Sequence, residues 1–365
     1  MTDMTDMTEM TDMTDITQIN HMTFSNNPDK LPRDVHSTGA LSRRTFTAAA
    51  AGAGLGASAF MLNTARAQSA GKTITLVVPA PAGGTADISA RMLAEPLGKL
   101  MGASVVVDNR AGGNGNIGGQ LVARGPADGS SLLLQYSGFQ CITPLLQSSP
   151  GFDPSKDLKP VGHLIDAPQL LAVRGNFPAN TFEEFLKYVK ENPGKVNYAS
   201  SGNGSLQHMT TELLKNLTKT FMVHIPYRGT GQALTDLLGG SVDFTITTPP
   251  PLLPHIRSGK LKALMVTGRT RLTALPNVPT ALEGGVPLIA SSWFAVYGPN
   301  SLQEDALAKL NIAIKQVVES EPFKKRAEEQ GAKAVYLNSP ELGKLASTER
   351  DMWARIVKVS GIKAD

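Results

Sequence analysis

Beyond residue 67, histidine and cysteine are few. His163, His208, His224 and His255 fall into neither H-x-x-x-H nor H-E-x-x-H spacing, so no helix offers two imidazoles on one face to zinc. No G-x-S-x-G elbow is present. Cys141 is the only cysteine; it can form no intrachain disulfide and reads as a small buried hydrophobe. No catalytic residue, metal or cofactor is expected. One glycine pattern does suggest chemistry. In NRAGGNGNIGG (109–119), Gly113, Gly115 and Gly118 have the spacing of a dinucleotide-binding turn. That turn also needs a strand running directly into the first glycine, a helix at the third, and an acid about 20 residues on to hold a ribose. Here residues 109–112 intervene, the following helix is short and glycine-bearing, and the next apolar run ends in Gln135-Tyr136-Ser137. The glycines are therefore assigned to positive φ and close backbone approach in a long loop.

Two other turns match anion chemistry better. In PAPAGGTADISARM (79–92) a strand ends, glycines turn the chain and a helix begins near Thr85. Free N–H groups at a helix start, aided by the macrodipole, can hold a carboxylate without any arginine. Asp87 falls in the first turn of that helix, either as a cap for the backbone or as an acceptor for a ligand hydroxyl or water. In YASSGNGSLQHMTTELL (198–214) the same arrangement recurs, with Ser200, Ser201, Asn203 and Ser205 as hydroxyl and amide donors. Ser205 equally suits a helix N-cap, and His208, one turn on, reads as a packed or capping histidine.

The elements that must carry these turns alternate. Apolar runs at 73–80, 104–109 and 131–137 read as strands, and 85–101 has helical spacing. Thr181 with Glu184 forms a capping box before a helix that stops at Pro193-Gly194. Strand, helix, strand, helix, strand follow to residue 248; strands at 261–268 and 293–299 precede helices near 303–320, 321–330 and 340–358. This order predicts an α/β protein with mostly parallel sheets. The proline-rich stretches 247–254 and 275–279 read as turns within the fold.

The ends and the bulk set the compartment. Residues 1–15 repeat a Met-Thr-Asp triplet and predict disorder. Arg43-Arg44, an apolar run from Phe46 to Leu62, and Ala65-Arg66-Ala67 read as an export signal cleaved after Ala67, twin-arginine-like or a Sec signal that holds two arginines. Residues 1–67 thus form a leader plus signal, and the remainder is expected in the periplasm. The first 67 residues hold five basic and seven acidic residues, so the rest carries 30 Lys/Arg against 24 Asp/Glu. This basic balance suits an anionic ligand. The charges are dispersed, with no aromatic-laced basic stripe, and nucleic-acid binding is not expected.

The motifs VVPAPAGGTAD (77–87), VVVDNRAGGNGNIGG (105–119), PADGSSLL (126–133), FDPSKDLKPV (152–161), PGKVNYASSGNGSLQH (193–208), VHIPYRGTGQALTDLLGG (223–240), PHIRSGKLKALMVT (254–267) and LPNVPTALEGG (275–285) occur in this order through nearly the whole exported chain. With them the chain resembles the periplasmic solute-binding proteins of tripartite tricarboxylate transporters, the Bordetella uptake gene-product family. The resemblance implies a type II, Venus-flytrap binding protein with two α/β lobes, 70–171 with 293–365 and 172–292, and mostly parallel central sheets. It implies a small carboxylate ligand held by Ala82, Gly83, Gly84, Thr85, Ala86 and Asp87 from the first turn and by Ser200, Ser201, Gly202, Asn203, Gly204 and Ser205 from the second. Ser137, Gly138, Thr247 and Thr248 are implied at the far wall. Tyr227 and Arg228 lie in a matching motif but equally suit packing between lobes and a surface ion pair, and Trp293 is expected to pack near the crossover. The implied partners are integral membrane permease subunits, and a monomer is expected. A ligand-dependent sensor and, more remotely, a periplasmic hydrolase are the alternatives. The family's first turn usually carries an aromatic and a second proline where this chain has Ala80 and Ala82, which implies added space and a bulkier acid.

Overall fold

The computed structural model describes residues 72–146 and 152–360. The leader and export signal expected over residues 1–67 lie outside them. Strand β1 (Lys72–Val78) turns Ile74, Leu76 and Val78 to one face and Val77 to the other, the alternation of a strand buried on both sides. It leads into α1 (Thr85–Met101), which starts after Gly84 and ends at Gly102 in the left-handed region, with the Gly102 N–H donating to Gly98 O. Ala90, Leu93 and Leu97 of α1 bury against β1. Next come β2 (Ala103–Asn109), α2 (Asn116–Ala123) and β3 (Ser131–Tyr136), followed by a helical stretch whose first part, Gly138–Ile142, has π geometry.

Two strands follow without a helix between them. β4 (Leu158–Pro168) and β5 (Leu170–Arg174) belong to different sheets and meet at Gln169. After them run α3 (Phe182–Glu191), β6 (Asn197–Ser200), α4 (Leu206–Thr218), β7 (Val223–Pro226), α5 (Thr230–Gly239), β8 (Phe244–Thr247) and β9 (Leu261–Val266). The chain then returns to the first sheet as β10 (Ser291–Pro299), with α6 (Glu304–Glu319), α7 (Glu321–Glu329), β11 (Lys333–Ala334) and α8 (Ser339–Ser360). Thr181 accepts the Glu184 N–H at the start of α3 as the capping box requires, although the Glu184 carboxylate bonds back to the Asn180 N–H.

One sheet has the order β11-β4-β10-β3-β1-β2 and the other β7-β6-β8-β5-β9. Each is covered on both faces by its own apolar clusters. This is a two-domain α/β fold, but the sheets are mixed, which corrects the expectation of mostly parallel ones. β1 pairs in parallel with β2 and β3, and β6 with β7 and β8; β10 runs antiparallel to β3 and β4, and β5 antiparallel to β8 and β9. The parallel part is built of β-α-β units, whose crossover fixes direction. The antiparallel part is built where the chain passes from one sheet to the other, and no crossover helix constrains those strands.

Candidate functional site

The first turn, residues 79–84, is held rigid from below. Asp87, only 4% exposed, accepts the Gly83 N–H at 3.0 Å and is gripped by Arg91, one helical turn on, at 2.9–3.1 Å. Burial works against its charge, but the bonds from Arg91, Gly83 and Asn109 outweigh it and hold the carboxyl below its ordinary range. Asn109 Nδ2 also donates to Ala80 O at 3.1 Å. Asp87 is thus occupied in shaping the turn. Gly84, the N-cap of α1, offers no side chain to the helix, so the first amides of α1 are left for another acceptor. Thr85, the first helical residue, places its hydroxyl 2.6 Å from that of Thr248 at the end of β8, a link from one sheet to the other.

The second turn, 200–205, rests on two stacked imidazoles. His208 and His224 lie parallel, 4.0 Å apart. His224 Nε2 is 2.6 Å from the Ser200 hydroxyl, and His208 Nδ1 accepts the Gly204 N–H at 3.1 Å. Burial first, then the neighbouring His208, pushes the His224 pKa down to about 4. Ser205 caps α4 by accepting the His208 N–H. The Ser200–His224 contact has the elements of a nucleophile and base. Ser200, however, is fully buried and does not line the cavity described next.

Both turns open on one cavity of about 520 Å³. It lies beyond the carboxyl ends of β1, β2 and β3 on one side and of β6, β7 and β8 on the other, as ligand sites in α/β sheets do. Tyr136, Leu206 and Phe294 supply apolar wall. The glycine-rich loop forms another part, through Gly112, Gly113, Asn114 and Gly115. Gly112, Gly113 and Gly115 have φ of 129°, 56° and 99°, in line with the sequence reading. A side chain on Gly118 would meet Pro79 at 3.0 Å, so this glycine lets the loop press against the first turn. Asn114 Nδ2 donates to Asn203 O at 3.2 Å, a second link between the sheets.

Of the sixteen residues expected at the ligand, Gly84, Thr85, Ala86, Ser201, Ser205, Thr247 and Thr248 line this cavity. Ala82, Gly83, Asp87, Ser137, Gly138, Ser200, Gly202, Asn203 and Gly204 do not line it. Ala82 and Gly83 are exposed, Ser137 bonds Ser292, and Gly138 packs on Leu206. Gly202 and Asn203 lie beside Asn114. Ala80 lines the cavity where the family pattern has its aromatic. Tyr227 and Arg228 line it too; the Tyr227 hydroxyl donates to Asp236 at 2.7 Å, and exposed Arg228 makes no ion pair among the described residues. Trp293 is buried in β10 with its Nε1 bonded to Glu349, and Cys141 is buried. Sequence reasoning missed Gln169, Gln207, Thr230 and the glycine loop as cavity residues. The loop could have been found, because its glycines follow a strand's carboxyl end.

Residues 89–362 match the model of the tripartite tricarboxylate transporter family receptor. Among curated proteins, protein BugT of Bordetella pertussis is 36% identical over 294 residues, covering 80% of this chain and 90% of its own length. Among solved structures, Rpa4515 of R. palustris with adipate superposes with a TM-score of 0.77 at 32% identity, covering 80% of this chain and 98% of its own. The periplasmic binding protein BugD does so at 0.76 and 33%, with the same coverage.

Proposed function

The chain belongs to the tripartite tricarboxylate transporter receptor family of periplasmic solute-binding proteins, a family of binders and not of enzymes, and on that premise we propose that its cleft captures a small organic acid and delivers it to integral membrane permease subunits. The observation that carries this reading is the meeting of two helix starts, Gly84–Ala86 at α1 and Ser205–Gln207 at α4, at one cavity that Ser201 also lines. Each start directs N–H groups and a positive dipole end at the same space. Each charge-assisted hydrogen bond to a carboxylate is worth roughly 1.5–3 kcal/mol net, so three or four support micromolar binding after the cost of association. The relative solved with adipate carries an acid, which agrees with this chemistry.

The ligand-binding set is Gly84, Thr85 and Ala86 with Ser201 and Ser205, flanked by Thr247 and Thr248. Asp87, Gly83, Ser200 and Gly204 shape the turns that present them. The two lobes, 70–171 with 293–365 and 172–292, act as jaws hinged where the chain crosses at Gln169 and again before β10. The acid favours the closed form because only that form brings both helix starts to it. The protein works as an exported monomer, and the permease reads the closed surface.

The test is thermal unfolding of the protein purified from the periplasm and freed of ligand, against a panel of aliphatic and aromatic mono-, di- and tricarboxylates. An acid at about 100 times its Kd adds roughly 2.7 kcal/mol, a rise of several degrees in Tm for a protein of this size. A rise with one class of acid is expected. No rise with any carboxylate would overturn the reading.

A further inference from the structure

The first turn, which follows β1 of one sheet, meets the start of α5, which follows β7 of the other, by close approach of the two main chains. Pro81 lies against Gly229, the N-cap of α5: a Cβ on Gly229 would come within 2.6 Å of the Pro81 ring. A Cβ on Gly231, the second residue of α5, would meet Ala82 O at 3.0 Å, and one on Gly84 would sit 3.8 Å from Thr230 Cβ. Two glycines thus leave a notch at the start of α5 in which residues 81–84 seat. Gly229 has φ 143°, a conformation that itself favours glycine. Gly231 is helical, where glycine is a poor choice on propensity alone. The turn is braced on both sides of the contact, because Asn109 Nδ2 donates to Ala80 O at 3.1 Å and Asp87 accepts the Gly83 N–H at 3.0 Å. Pro81, Gly84, Gly229 and Thr230 line the cavity, whereas Ala82 and Gly231 do not.

Building on the reading of the two lobes as jaws, we propose that residues 81–84 and the glycine notch at 229–231 form the clasp that sets how far the jaws close, and that Gly231 is a positioning residue kept small for this fit. The contact joins elements of different sheets, so it forms only as they approach. A side chain at 231 does not harm the helix, since alanine and valine both suit a helix better than glycine. It interferes only in the closed form, where its Cβ stands inside ordinary van der Waals contact with the carbonyl of a braced turn. Because neither Gly231 nor Ala82 lines the cavity, such a side chain acts on the closed fraction and not on contacts with a ligand. The apparent Kd of any ligand is its intrinsic Kd divided by the fraction of competent protein, so every acid loses affinity by the same factor. A residue that touched the ligand would instead change different acids unequally.

The test adds Gly231→Ala or Gly231→Val to a Thr85→Cys, Thr248→Cys protein, whose natural hydroxyls stand 2.6 Å apart between the two sheets. The rate of disulfide formation without any acid, under a fixed oxidant, reads closure; thermal unfolding of the single Gly231 variants reads the fold. Disulfide formation is expected to slow from glycine to alanine to valine, by about tenfold for valine, with no fall in Tm. In calorimetric titrations, those of adipate, malate and benzoate that bind are expected to lose affinity for Gly231→Val by one common factor. An unchanged disulfide rate in the valine protein would overturn the clasp. So would a slower rate matched by a lower Tm, which makes Gly231 a folding residue, or a loss of affinity confined to one acid, which makes it a ligand contact. If no acid binds the natural protein, the carboxylate reading fails, and the disulfide rate still decides the clasp.

Discussion

Asp87 and His224 each support one of the two turns at the cavity without lining it. Asp87 anchors the Gly83 amide and Arg91 under the first turn. Asp87→Asn should loosen residues 80–84 and destabilise the fold by about 1 kcal/mol, read as a lower urea midpoint. His224 supports the second turn through Ser200 and must stay neutral to stack on His208. Glu212, Lys215 and Tyr198 also face this pair, and burial with the His208 neighbour still holds the His224 pKa at about 4. In the unfolded chain a histidine titrates near pH 6.5. The unfolded state therefore binds the extra proton between about pH 6.5 and 4, and stability falls as pH drops through that window. His224→Asn should flatten this part of the urea-midpoint profile relative to the natural chain. An unchanged slope would show that His224 takes up its proton as readily folded as unfolded.

At the scale of elements, α2 and the glycine loop before it form a spacer whose thinness matters. A Cβ on Gly119 would come within 2.7 Å of the Phe152 ring and 2.9 Å of Phe139. Gly119→Val should therefore push α2 off the sheet, cost about 1–3 kcal/mol by overpacking, and weaken acid binding through the displaced loop. The glycines, the helix spacing of α1 and the capping Thr181 were legible because each follows a local rule. β4 was not. Its Pro160, Gly162, His163, Asp166 and Pro168 read against a strand, yet it runs eleven residues between β10 and the short β11, with Leu164 and Val161 of β4 as the extra residues at two register shifts against β10. Missing β4 and β5 is what made the sheets look parallel. Gln169 and Gln207 were illegible for a different reason. A glutamine has no spacing signature, and only tertiary structure brings one from a sheet crossing and one from a helix start to the same cavity.

For the molecule as a whole, entry of an acid into the proposed cleft requires the two sheets to move apart. The Thr85–Thr248 hydroxyl contact at 2.6 Å offers a lock across the cleft. Thr85→Cys with Thr248→Cys places two sulfurs where a disulfide can close, and the natural Cys141 is buried away from it. Acid loaded before oxidation should leave at least about tenfold more slowly than from the reduced protein, and reductant should restore its release. In the proposed mode of capture, main-chain amides at two helix starts, rather than the exposed cation Arg228, hold the carboxylate. Thr85 stands at the first helical position after a Gly84 with φ −82° and ψ 169°, so proline fits there without breaking α1. Thr85→Pro removes one amide and the hydroxyl; Thr85→Val removes the hydroxyl alone. The measurement is the affinity of the best-binding acid for these two variants and for Arg228→Gln, by calorimetry. Thr85→Pro should fold and lose about tenfold or more relative to Thr85→Val, with a smaller loss in Arg228→Gln. Equal affinities for Thr85→Pro and Thr85→Val, with binding abolished in Arg228→Gln, would contradict this mode of capture.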